Sequence, residues 1–394
     1  MRTIPVELQD CVLDNLRGSR AILVNCTLVC RAWRRRARFN LFHTIQIDWA
    51  ERRRTTLLLE VLLETHSLVR DLTLTSAAYM QPEELVGLLE ALENLESLSI
   101  LAHRRNSGLL HLLFVISAHP VLGERLLAAI ARMEKLRALD FTPRGLLYSW
   151  APQSTLREDG PALSGTGLSA LSRLDGDMFP AQRAHRLWTA IAAAKALDGA
   201  APLTHFGTAV HSLQPLSGFI AEVGAQLQSL RLDLRAIFLA GEDTISSFRT
   251  SGLSLSHCKN LRTLTMYLEA PSTRDNGNIN VCAALLSTAG EDVPLVRINI
   301  TLYHLSRKFF MLPSIAESAE ALDESIVGLP HLKRVDWHLA HCVPDDDATS
   351  HGGKTQLADM FAELFPELAT QTKGVKVNWK SDMEKTRGPQ IGAA

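Results

Sequence analysis

Leu261-Arg262-Thr263-Leu264-Thr265-Met266-Tyr267-Leu268 places apolar side chains at its first, fourth, sixth and eighth positions. On a strand the last three point to one side, whereas on a helix positions four and six diverge by about 160°. The segment therefore reads as a strand, with Thr263, Thr265 and Tyr267 on the opposite face. The same form recurs at Phe42/Ile45/Ile47, Val69/Leu72/Leu74, Leu95/Leu98/Ile100 and Leu136/Leu139/Phe141. It returns at Leu227/Leu230/Leu232/Leu234, Leu295/Ile298/Ile300/Leu302 and Leu332/Val335/Trp337/Leu339, with a weaker copy at Leu203/Phe206. Helix-like runs separate the copies at 57–64, 83–92, 109–118, 126–133, 213–225, 281–288 and 315–326.

Strand, crossover helix, strand at irregular intervals resembles leucine-rich repeats. The copies carry no regular Asn or Cys after the strand, so the resemblance is to the irregular sort of repeat. An ordinary α/β domain with a parallel sheet obeys the same logic and stands as the alternative. One gap breaks the rhythm between Phe141 and Leu203, where a Pro- and Gly-containing stretch precedes an Ala-rich helical segment at 188–197. Residues 142–200 are expected to form an insertion with one helix. Gly165-Thr166-Gly167-Leu168-Ser169-Ala170 superficially matches a dinucleotide loop, but no strand precedes it. At the other end, 357–368 and 374–379 read as a last helix and a closing strand that caps the array, and 380–394 as a loose tail.

The N-terminus follows another pattern. Thr3 can cap and Pro5 suits a first helical turn. Leu8, Val12, Leu13 and Leu16 then recur at helical spacing until Arg17-Gly18-Ser19. A second stripe (Ile22, Leu23, Cys26, Val29, Cys30, Trp33) runs into Arg34-Arg35-Arg36, and 41–47 reads as a strand. A helical hairpin of about 40 residues cannot bury both its apolar sides alone. The order Ile4-Pro5-Val6-Glu7-Leu8, then Val29-Cys30-Arg31-Ala32-Trp33, resembles an F-box, the adaptor-docking module of ubiquitin-ligase substrate receptors. Ile4 stands where the family more often has Leu, and the segment around 17–21 is slightly long. The resemblance implies that Ile4, Pro5, Glu7, Leu8, Val12, Leu16, Val29, Cys30 and Trp33 contact the adaptor of an SCF-type ligase. The cluster Arg34, Arg35, Arg36 and Arg38 reads as the solvated side of the last helix.

Charge and composition narrow the function. Hydrophobic residues make up 46% and charged residues 21%, and the net charge is −1. Neither nucleic acid nor an anionic membrane is favoured as a partner. The longest apolar runs are far short of the roughly 20 residues of a membrane span, and no signal peptide is expected. Six scattered cysteines read as reduced thiols in an intracellular protein, in cytoplasm or nucleus. No nucleophile elbow, Walker loop, zincin motif or paired Cys-x-x-Cys occurs, so no catalytic residue, metal or cofactor is expected. His338, His341 and Cys342 near Asp345-Asp346-Asp347 match no common zinc spacing and read as a polar loop.

The expected architecture is α/β: a three-helix F-box at 1–40, then an irregular leucine-rich-repeat-like solenoid at 41–379. Together the resemblances look like the receptor family abundant in mushroom-forming fungi. They imply a non-enzymatic substrate-recognition subunit with an SCF adaptor, a cullin scaffold behind it, and a protein substrate as partners. The substrate is expected on the strand face, at the alternate positions Arg231, Asp233, Thr265, Tyr267, Asn299, Thr301, Asp336 and His338, along with Ser97 and Ser99. Two rival readings stand beside this one. The first is a repeat scaffold whose N-terminal helices are only a cap. The second is an enzyme hidden in 203–302, which needs converging titratable groups at strand ends.

Overall fold

The computed structural model describes residues 4–48, 60–62, 64–75, 81–101, 120–141, 165–176, 181–210, 213–235, 244–269, 277–303, 313–340, 362–363, 365–370 and 376–381. The chain divides into two compact units. The first takes Met1–Leu147, Ser154–Gln182 and Ala193–Ala201, and the second Tyr148–Gln153, Arg183–Ala192 and Pro202–Ala394. The expected helix at 109–118, half of those at 57–64 and 357–368, the cap at Thr3, and the residues from His341 through the Asp345–Asp347 triplet lie outside the described residues. So does all but the start of the 380–394 tail.

Unit 1 opens with helices α1 (Val6–Asn15), α2 (Arg20–Val29) and α3 (Arg31–His43). Strands β1 (Thr44–Asp48), β2 (Asp71–Thr75), β3 (Ser97–Leu101), β4 (Ala138–Phe141) and β5 (Arg173–Gly176) follow, all parallel and paired in chain order. Unit 2 repeats the scheme with β6 (His205–Ala209), β7 (Ser229–Asp233), β8 (Thr263–Glu269), β9 (Arg297–Tyr303), β10 (Arg334–Ala340) and β11 (Lys376–Ser381). A doubly wound sheet reverses its strand order at a switch point. Neither unit does, so each is a solenoid-like α/β stack.

Each rung begins one turn earlier than the sequence pattern suggested. Tight turns place the N–H of Leu95 on Leu92 O, Leu136 on Met133 O, Leu171 on Leu168 O and Leu261 on Cys258 O. The strand then enters on a carbonyl of the previous rung: Ser97 on Arg70, Ala138 on Glu96, Thr263 on Gln228 and Arg334 on Val296. Side chains from turn and strand stack beneath one another. Leu72, Leu98 and Leu139 are fully buried in unit 1, as are Leu264, Ile298 and Val335 in unit 2. Parallel sheets are ordinarily covered on both faces. Here burial alternates along β1–β4, so helices cover one face and polar residues line the other.

Two expectations require correction. Leu41, Phe42 and His43 belong to α3, and the strand starts only at Thr44. The segment expected as an insertion contributes β5, whose Leu171/Leu174 copy ends in Gly176 instead of a third apolar residue. Gly176 is the register partner of the fully buried Phe141. The Gly165–Leu168 turn leads into β5 as a rung entry rather than a phosphate loop.

In the N-terminal module, Leu13, Leu23, Cys26 and Ala37 form the core, with Leu16, Trp33 and Leu41 packed against it. Cys30 caps α3, its Sγ accepting from the Trp33 amide at 3.5 Å. Asp14 ties the helices together by accepting from Arg36 Nε at 2.8 Å and Asn40 Nδ2 at 3.0 Å. Arg36 is thus a structural residue, and Arg34 donates to Thr27 O, while Arg35 and Arg38 face solvent.

Candidate protein-interaction surfaces

The first surface lies on α1 and α2. Ile4, Val6, Leu8, Val12, Ile22, Val24, Leu28 and Val29 are all exposed, and the rest of the described chain adds only Val61, Val121 and Leu197 to the exposed large apolar side chains. Leu8 and Val12 lie one helical turn apart and form a stripe. On α2, Leu23 and Cys26 face inward, which leaves Ile22/Val29 and Val24/Leu28 on the outer sides. Of the residues assigned to adaptor contact, Ile4, Pro5, Glu7, Leu8, Val12, Val29 and Cys30 are exposed and Leu16 is half-buried. Trp33 differs from an open anchor. Its indole packs on the module's own core and donates its N–H to Gln9 Oε1 at 2.8 Å, leaving it half-buried.

The second surface is the open strand face. Parallel pairing places Arg231, Thr265, Asn299 and Asp336 in one row, and Asp233, Tyr267, Thr301 and His338 in the next. All eight residues chosen from alternation therefore do share one face. They are not all solvent-facing. Asp233 is 1% exposed and Thr301 6%. Asp233 accepts from the backbone N–H of Arg235 at 3.1 Å and from its Nε at 2.8 Å, and Arg235 is itself buried. The Arg235 guanidinium lies 4.1 Å from the centroid of the Tyr303 ring, and that of Arg231 lies 5.7 Å from Tyr267. These residues make a cation–aromatic cluster at the C-terminal ends of β7–β9.

A charged network occupies the other end of the face. Asp336 accepts from Arg297 Nε at 2.7 Å, Arg334 Nε at 2.8 Å and Asn378 Nδ2 at 2.7 Å. Burial pushes its carboxyl up, but these hydrogen bonds outweigh burial and hold it below the usual range. Beside it, Asn299 donates to Thr265 Oγ1 at 2.9 Å. Alternation also carried Arg297, Arg334 and Tyr303 onto this face. Sequence reasoning passed over them because they sit at strand ends rather than strand centres.

No group of three metal-capable side chains occurs among the described residues. Cys258 and Cys282 are buried thiols whose pKa burial raises, the former to about 12. No described helix is long and apolar enough to cross a membrane. No family model matches the chain, and no curated protein matches it. Among solved structures, the yeast Rad7 and Elc1 complex is similar over 94% of this chain and 92% of that chain, at 12% identity and a TM-score of 0.32. At that level neither function nor detailed fold follows from the likeness.

Proposed function

We propose that this protein is a non-enzymatic substrate-recognition subunit of an SCF-type ubiquitin ligase, with α1–α3 serving as an F-box and the strand stack as a leucine-rich-repeat-like receptor. In this reading α1–α3 dock the ligase adaptor, and through it a cullin scaffold, while the strand stack holds a protein substrate. The compartment would be intracellular. One observation carries the reading: exposed apolar side chains concentrate on α1 and α2, where the sequence resembles an adaptor-docking module. Apolar exposure concentrated in this way supports an interaction surface. A receptor of this type makes and breaks no bonds, and works by raising the local concentration of its substrate near the ubiquitin-charged enzyme.

The test is co-expression with an SCF adaptor followed by size-exclusion chromatography. Wild type is expected to co-elute with the adaptor through an interface of roughly 1,600 Å². Leu8→Glu/Val29→Glu should abolish co-elution and leave the thermal midpoint unchanged, because both side chains are more than half exposed. A wild-type chain that never binds the adaptor would point to the second reading, a repeat scaffold with a helical cap. The satisfied, half-buried indole of Trp33 favours that alternative.

A further inference from the structure

The strand faces of the two units carry opposite charge, although the whole chain stands at −1. In unit 1 the open-face register positions hold Asp48, Asp71, Asp140 and Asp175 against Arg173 alone. On β9–β11 of unit 2 the same positions hold Arg297, Arg334 and Lys376 against Asp336 among the described side chains. On β7 the positions are mixed, with Arg231 set against Asp233. Arg297, Arg334 and Lys376 are consecutive register partners, so their strands lie about 4.8 Å apart. Asp336 holds both guanidiniums in place but neutralises only one charge, and Arg297 and Arg334 remain 45% and 43% exposed.

We propose that the β9–β11 face docks an acidic, unphosphorylated peptide segment of a protein partner, with its carboxylates on the Arg297–Arg334–Lys376 row. This rests on the receptor reading only in taking the occupant to be a protein. The charge of the row selects an anion, and its geometry selects which kind. One cation per strand over three adjacent strands matches carboxylates distributed along an extended chain, and the phosphoserine comparison below separates this from a single phosphate. Single-stranded nucleic acid would need open aromatic faces on which bases stack. Here guanidiniums already lie over the rings of Tyr303 and Tyr267. The carboxylates of the unit 1 face repel the same segment, which confines docking to unit 2.

The experiment is fluorescence anisotropy on the full-length chain with a labelled Glu-Ser repeat decapeptide. Its Lys-Ser counterpart, a phosphoserine peptide without Glu, and a short single-stranded RNA serve as comparisons. The acidic peptide should bind best and weaken several-fold as salt rises from about 50 to about 200 mM. Arg297→Gln/Arg334→Gln should weaken it about tenfold or more, and Lys376→Gln about threefold. Asp140→Lys on the unit 1 face should leave the affinity unchanged. Lys376 is an exposed edge position, so its variant reads binding even if the arginine pair disturbs folding. The proposal is overturned by absent binding, by tighter binding of RNA, phosphopeptide or basic peptide, or by wild-type affinity in the Lys376 variant. It is also overturned if gel filtration shows the face to be covered by a second copy of the chain. No adaptor enters this assay, so its failure leaves the ligase reading standing, and loss of adaptor co-elution leaves this proposal standing.

Discussion

Asp14 shows how a single residue fixes the N-terminal module. Its hydrogen bond from Arg36 lowers its pKa, burial opposes that, and Asn40 and the nearby charges of Arg36 and Arg17 lower it further, to about 2 from 3.8. A carboxyl with a folded pKa below its unfolded value contributes stability above pH 4 that is lost as the pH falls toward 2. Urea unfolding across pH 2–6 should therefore show Asp14→Asn less stable than wild type at pH 6, with the gap closing near pH 2. Lys195 illustrates the opposite case. Its ammonium donates to Ser169 O at 2.8 Å and Ala201 O at 2.7 Å, and burial pushes its pKa down to about 8 from 10.5. Between those values the unfolded chain binds more protons, so this group makes stability rise from pH 8 to 10.5. Lys195→Met should flatten that rise in chemical denaturation. Neither role was legible in the sequence, because Asp14 meets partners 22 and 26 residues away and Lys195 meets carbonyls that no side-chain pattern announces.

At the scale of elements, the turn before β5 is the most constrained described here. A Cβ on Gly167 would lie 1.8 Å from the Ala131 carbonyl oxygen, so the rung can close only with glycine there. Gly167→Ala should cost about 1–3 kcal/mol, the usual range for forced overpacking, read as a lower urea midpoint with an unchanged slope. A midpoint equal to wild type would show that the turn moves aside freely. In sequence this glycine sits in a motif that suggests phosphate binding; packing explains it instead. The strand it introduces escaped notice because Gly176 replaces the last apolar residue of the pattern. The helix Thr244–Ser251 escaped for a related reason: its Ser- and Thr-rich sequence has weak helical propensity, and its buried Phe248 supplies little periodicity. Most other strands and helices were readable, since two-residue and 3.6-residue periods are local properties of the chain.

At the scale of the whole molecule, the rungs of each unit bond mainly to the rungs on either side, so the stability of each unit should behave as a one-dimensional stack. Leu264 is fully buried on β8. Leu264→Ala should cost about 2–5 kcal/mol, and amide exchange should accelerate in β7, β8 and β9 while β1–β3 keep wild-type protection. Uniform acceleration through all strands would show global cooperativity instead.

The sequence by itself determined that most of the strands form, which residues share the open face, and that an apolar surplus lies near the N-terminus. All three are written in spacing and composition. Only the tertiary structure decided that Asp233 and Thr301 sink out of solvent, that the Trp33 indole turns onto its own module, and that one strand face is acidic and another basic. Those outcomes depend on register between strands distant in the chain, and register is fixed by the stacking of whole rungs rather than by any local run of residues.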